Sequence, residues 1–136
     1  MNKLLLFIGM TLIFSGAFAQ NETAVFDEIA LIIKAQNQQE LQKYLAPRVE
    51  ITIDKEQQEC AKLKALDILS KFLKQFEVNS YDIKHVSEVG KDGLYAISHL
   101  DTKTESYKSN IFLTKIGEQF YIREINFEHE VSSSNK

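Results

Sequence analysis

The side chains with reactive chemistry to offer are three histidines, one cysteine and a scatter of carboxylates. His85 and His99 invite reading as a metal pair or an acid–base couple, because imidazole titrates near neutral pH and ligates divalent metals. Their placement depends on one turn. Asp92-Gly93 reads as a two-residue hairpin connection. It pairs Lys91 with Leu94, His85 with Leu100, Ser87 with Ser98 and Lys84 with Asp101. That register sends the two histidines to opposite faces of the sheet; only a three- or five-residue loop would unite them. No metal site is therefore expected. His85 falls on the same face as Tyr81, Ser98, Tyr107 and Ser109. These polar groups in an otherwise apolar lining are candidate ligand-pocket residues. The plainer reading of His85 is a histidine at the edge of the core, satisfied by a hydroxyl or the backbone. His129, near the tail, is expected to be solvated.

Acid–base catalysis needs a carboxylate on the same inner face. The strand pattern puts none there, although Glu124 through a bulge, or Glu50 and Asp54 from the first strand, are the nearest candidates. Cys60 opens the longest helix, where the helix dipole favours a thiolate. It has no defined base beside it and reads as a packing thiol. There is no glycine-rich phosphate loop, no CxxC, no HExxH and no GxSxG. No catalytic residue and no cofactor is assigned, and an enzymatic role is the less favoured reading.

The elements that must position these residues follow from periodicity. Val25, Phe26, Ile29, Ile32 and Ile33 predict a helix over about Thr23–Ala35. Asn21 or Thr23 can cap it. A short helix follows over about Gln38–Leu45, stopped by Pro47. Val49–Ile53 alternates as a strand, and Asp54–Gln58 is a polar turn. Leu66, Leu69, Phe72, Leu73 and Phe76 form the stripe of a long helix over about Glu59–Phe76. The period then switches to two, for strands Tyr81–Val89, Leu94–Thr102, Ser106–Ile116 and Phe120–Glu128. Val131–Lys136 is a serine-rich tail expected to fray.

A Thr104-Glu105 turn pairs Leu100 with Ser109, Ser98 with Ile111 and Ala96 with Leu113. A Gly117-Glu118 turn pairs Leu113 with Ile122. One face then carries Tyr81, Ile83, His85, Val89, Ala96, Ser98, Leu100, Tyr107, Ser109, Ile111, Leu113 and Ile122, and should hold the helices. The other carries Lys84, Glu88, Tyr95, Ile97, His99, Asp101, Lys108, Phe112, Thr114, Tyr121 and Arg123. Its aromatic patch, Tyr95, Ile97, Phe112 and Tyr121, is the candidate face for a homodimer. In the last strand the apolar positions change parity between Ile122 and Ile125, which predicts a bulge near Arg123-Glu124.

The chain starts with Met1-Asn2-Lys3, an apolar run from Leu4 to Phe14, and small residues ending in an A-x-A site at Ala19. This is the pattern of a secretory signal peptide of bacterial type. It is too short for a membrane span. Cleavage before Gln20 leaves 117 of the 136 residues, one domain over 20–130. Lys3 is the only charge removed, so 15 Lys+Arg stand against 19 Asp+Glu, a net of −4. That balance gives no attraction to nucleic acid or anionic lipid. A lone cysteine excludes an intramolecular disulfide. No Cys follows the apolar run, so a lipid anchor is not expected. Soluble export, to the periplasm or beyond, is the reading.

Helices segregated from an antiparallel sheet define an α+β class. The order of two helices, one strand, a long helix and a four-strand antiparallel meander resembles the nuclear transport factor 2-like fold, a curved sheet wrapped round a long helix to make a cone. Ile83-Lys84-His85, Lys91-Asp92-Gly93, Tyr95-Ala96-Ile97 and Tyr121-Ile122-x-x-Ile125-x-Phe127-Glu128 resemble a family of small exported Bacteroidota proteins, over about Glu22–Glu130. The family carries no assigned activity, so the resemblance implies no functional residue. Relatives often have glycine after the Tyr-x-Ile run, where this chain has Ser98, a change that would narrow a cavity. The expected function is a non-catalytic exported domain that binds a small apolar ligand or a partner in the cone. The alternatives are an isomerase- or dehydratase-type enzyme using the same pocket, and an envelope interaction module using the outer sheet face.

Overall fold

The structure, a computed structural model, describes residues 21–131. The expected signal peptide, and all but the first residue of the expected tail, lie outside the described residues. Phe26, Ile29, Ala30 and Ile33 recur at helical spacing, and all four are buried along one side of α1 (Asn21–Ala35). The helix ends where Gln36 takes a positive φ of 55°. Asn37 then caps α2 (Gln38–Lys43), its Oδ1 accepting the Glu40 N–H at 3.2 Å. In α3 (Lys62–Lys74), Ala65, Leu69, Phe72 and Leu73 form the buried stripe. The Gln36 amide donates to the Leu73 carbonyl at 3.1 Å, so the end of α1 is tied to the end of α3.

Six strands form one sheet: β1 (Leu45–Ile53), β2 (Glu56–Ala61), β3 (Val78–Val89), β4 (Gly93–Thr102), β5 (Ser106–Ile116) and β6 (Gln119–His129). Their order across the sheet is β2-β1-β6-β5-β4-β3. Neighbours are antiparallel except β1 and β6, which are parallel. The expected layout of one early strand is thus corrected. β2 occupies the stretch read as a polar turn and the start of the long helix. Its sequence, EQQECA, has no apolar alternation because it is an exposed edge strand. Strand β1 also begins four residues early, at Leu45, and runs through Pro47. The β1–β6 register is irregular between Leu45 and Glu50, which accommodates a proline without an N–H.

The connection between β3 and β4 is a second correction. Val89 pairs with Gly93, so the loop has three residues, Gly90-Lys91-Asp92, with Gly90 at a φ of 65°. Gly93 cannot serve as the turn glycine. It sits in the ladder, and a Cβ there would lie 2.6 Å from the Val89 carbonyl oxygen. A further register shift between Ile83 and His85 leaves Lys84 as the extra residue. Tyr81 and Ile83 therefore face the helices, whereas His85 and Val89 face the open side. Glu88 moves the other way, onto the helix side, where its carboxyl meets Glu22 and that hydrogen bond holds the Glu22 carboxyl above its usual range.

The β4–β5 register differs from expectation by two residues. Leu100 pairs with Tyr107, Ser98 with Ser109 and Ala96 with Ile111. A shift of two keeps every side chain on its face, so the face assignment of β4 and β5 holds. The β5–β6 pairing of Leu113 with Ile122 is as expected, and so is the bulge. Phe112 pairs with Glu124, leaving Arg123 as the extra residue.

Candidate functional site

The helix-facing side of the sheet brings four of the five expected pocket residues together. Tyr81, Ser98, Tyr107 and Ser109 are all buried there. The Tyr81 and Ser109 hydroxyls lie 2.7 Å apart. Burial pushes the Tyr81 phenol up to about 12, partly opposed by the Ser109 and Ser98 hydroxyls beside it. Ser98 is 1% exposed, and its Oγ, though near the Tyr81 phenol, makes no hydrogen bond of good geometry. His85, the fifth, is exposed on the opposite face, moved there by the three-residue loop, while the Lys84 bulge keeps Tyr81 and Ile83 on the helix side.

Aromatic side chains pack against one another on the helix side of the sheet. The Phe72 ring packs 4.8 Å from Phe127 and 5.2 Å from Tyr107, centre to centre, and Phe76 closes on Tyr107 at 5.7 Å. Tyr107 is held above the ordinary phenol range, mainly by burial. An open cleft of about 790 Å³ between Glu22, Tyr44, Lys115 and Phe120 touches none of the five expected pocket residues. The Ser98 hydroxyl, which has no well-formed hydrogen bond, yields a test. Removing a buried hydroxyl that makes no good bond is close to neutral. Ser98→Ala is expected to stay within about 1 kcal/mol of the unmodified protein in urea denaturation. A loss well beyond that would show that the hydroxyl has a partner.

The histidines part company with expectation too. His85 and His99 stand on adjacent strands and share the open face, contrary to the two-residue turn reading. His99 Nδ1 lies 3.3 Å from a Glu130 carboxylate oxygen. His129 is not merely solvated. It bonds Glu105 through Nε2, and its ring meets the edge of Tyr107 at 5.2 Å. Among the described residues, no group of three His, Cys, Asp or Glu side chains is placed to hold a metal ion.

The carboxylates considered for acid–base work lie away from the helix side. Asp54 is exposed in the turn between β1 and β2, where its side chain accepts the His129 N–H at 2.9 Å. Glu50 and Glu124 are register partners across the parallel β1–β6 pair and line a groove on the open face. Strands β4 and β5 separate Glu124 from His85, a span of about 14 Å at normal strand spacing. Cys60 is half-buried on edge strand β2, not at a helix start.

The open face has its own architecture, which sequence reading caught only in part. The groove holds about 350 Å³, with Tyr95 and Phe112 on one side and Glu50 and Glu124 on the other. Tyr95, Ile97, Phe112 and Tyr121 are half-buried, as an uncovered aromatic patch would be. Tyr95 and Phe112 are direct cross-strand partners. The acidic half was missed as part of this patch because it depends on a parallel pairing between the first strand and the last.

A curved six-stranded sheet packed against three helices is the nuclear transport factor 2-like architecture. Solved structures of that class match it. An NTF-2 like protein of unknown function from Silicibacter pomeroyi superposes with a TM-score of 0.64 at 10% identity, over 86% of this chain and all of its own. A de novo designed protein with a curved β-sheet gives 0.65 at 13% identity, covering 81% of this chain and 98% of the design. The chain itself belongs to the family described as domain of unknown function DUF4783, which matches residues 26–128. A DUF4783 protein from Bacteroides uniformis superposes with a TM-score of 0.73 at 23% identity, over 78% of this chain and 97% of that one. One from Bacteroides ovatus gives 0.71 at 22%, over 76% and 94%. No functionally curated protein matches the chain.

Proposed function

We propose that this protein is a non-catalytic binding module, exported by its N-terminal leader, whose working surface is the open face of its sheet. The observation that carries this is the aromatic-walled groove around Tyr95 and Phe112, on the side that no helix covers. A small apolar ligand among Tyr81, Ser98, Tyr107 and Ser109 loses support, because those side chains are buried against one another and against Phe72. The acid–base reading loses support because Glu50 and Glu124 lie on the open face, and Asp54, though close enough to act on the Tyr107 phenol, is exposed in a turn and holds the His129 N–H. Among the described residues no helix is long and apolar enough to cross a membrane.

The first partner to test is a second copy, joined through Tyr95, Ile97, Phe112 and Tyr121. Light scattering is expected to give twice the chain mass for the protein without its leader, and the single mass for Phe112→Lys with unchanged circular dichroism. A single mass for both at high concentration rules out the homodimer. Capture from an envelope extract then tests the face against other proteins. Retention by the unmodified protein and by Leu31→Lys, a change on exposed α1 surface, should be lost in Phe112→Lys. Identical masses and identical captured proteins for Phe112→Lys and the unmodified chain would sink the open-face reading.

A further inference from the structure

Register places a continuous row of side chains across five strands of the open face. Glu59 pairs with Glu50, Glu50 with Glu124, Glu124 with Phe112, and Phe112 with Tyr95. Three carboxylates thus stand side by side and run directly into two aromatic rings. Like charges opposite one another in a sheet are destabilising, so a cation beside this row would be favoured. Arg48 supplies one, its Nε 3.2 Å from Glu59. Among the described residues, no ion pair includes Glu50 or Glu124.

The groove over this row has no basic lining residue. The adjacent row supplies Asn126 and Asn110. Asn126 Oδ1 accepts the Asn110 N–H at 2.9 Å, while Asn110 Oδ1 is buried with no hydrogen-bond partner. The groove therefore offers two carboxylates outside any ion pair and two aromatic rings. A guanidinium group answers both. It carries five donors and no acceptor, binds carboxylates in a planar fork, and stacks on aromatic faces. An ammonium offers a compact point charge without the stacking plane.

We infer that the Glu50–Glu124–Phe112–Tyr95 groove is a binding site for an arginine side chain of a partner polypeptide. This rests on the open-face reading above and names the chemistry of what that face takes. N-acetyl-arginine methylamide, titrated into the ¹⁵N-labelled protein, is expected to give saturable shifts at Asn110, Phe112, Glu124 and Asn126 at millimolar concentrations. The uncharged citrulline analogue should bind at least about tenfold more weakly, and the lysine analogue should fall between them. The double variant Glu50→Gln, Glu124→Gln should lose binding of the arginine probe by about tenfold or more. Its melting temperature should equal or exceed that of the unmodified protein, because the like-charge pair is gone. That combination separates a lost site from a lost fold.

Shifts that fail to saturate, that map elsewhere, or that are equal for arginine and citrulline overturn the inference. Equal binding of the lysine analogue overturns the guanidinium assignment. If Phe112→Lys loses a captured partner but the double glutamine variant keeps it, the arginine site is wrong and the open-face reading stands. If both variants keep it, both readings fail.

Discussion

Replacing Phe127 with alanine is expected to cost about 3–5 kcal/mol, the range for emptying a fully buried phenylalanine site. Phe127 is 0% exposed and lies on β6, the strand hydrogen-bonded to both β1 and β5. Its ring packs 4.8 Å from Phe72 on α3 and 6.5 Å from Tyr107 on β5. Three elements therefore lose contacts at once. They cannot collapse independently, because the parallel and antiparallel ladders of β6 hold the strand in place. Urea denaturation should show a lower midpoint with an unchanged slope. Leu63→Ala, at a position 66% exposed on α3, should stay within about 0.5 kcal/mol. A cost below about 1 kcal/mol for Phe127→Ala would mean that the aromatic cluster does not carry the core.

Alkaline pH is expected to unfold the protein over a definable window, with Tyr81 a main contributor. Its phenol is buried and pushed up to about 12 from an ordinary value of 10.0. A folded-state value above the unfolded one means that the neutral form is favoured by folding. The associated stability is fully present below pH 10 and is lost as pH rises from about 10 through about 12. For a shift of this size the loss is roughly 2–3 kcal/mol. Tyr44, raised to about 12 by burial and by the Glu28 carboxylate, adds in the same direction, more weakly because it is only partly buried and solvent screens it. Tyr81→Phe leaves the Ser109 hydroxyl without its partner and should cost about 1 kcal/mol at neutral pH. It should also flatten the alkaline decline, so the two stability curves converge above pH 10. Parallel curves for the variant and the unmodified protein would show that Tyr81 is not the titrating group.

Much of the helix-facing core was legible because burial writes its period into the chain. The α3 stripe and the alternation of β4 and β5 could be read without any neighbour in view. The bulge at Arg123 was legible too, from the change of parity between Ile122 and Ile125. The β4–β5 register was off by two residues, yet Ser98, Leu100, Tyr107 and Ser109 kept their face, because strand side chains repeat every two residues. His85 had no such protection. The three-residue loop Gly90-Lys91-Asp92 decided its side, and the extra residue Lys84 beyond it returned Ile83 and Tyr81 to the helices; neither the loop nor Lys84 carries an apolar signature. Edge strand β2 was illegible for the same reason, since a strand that buries little selects few apolar residues.

The sequence by itself determined the periodic elements and their order, the faces of β4 and β5, and an aromatic patch holding Tyr95 and Phe112. Each of these rests on local spacing, and local spacing survives errors in pairing. Only the tertiary structure decided that Phe72 packs against Tyr107 and Phe127, since that contact depends on how α3 lies across β5 and β6. Only it brought Glu50 and Glu124 together beside the aromatic pair. Their meeting requires the first and last strands to run parallel at the middle of the sheet. That pairing is between segments far apart in the chain, and the hydrogen bonds that make it leave no pattern in either strand alone.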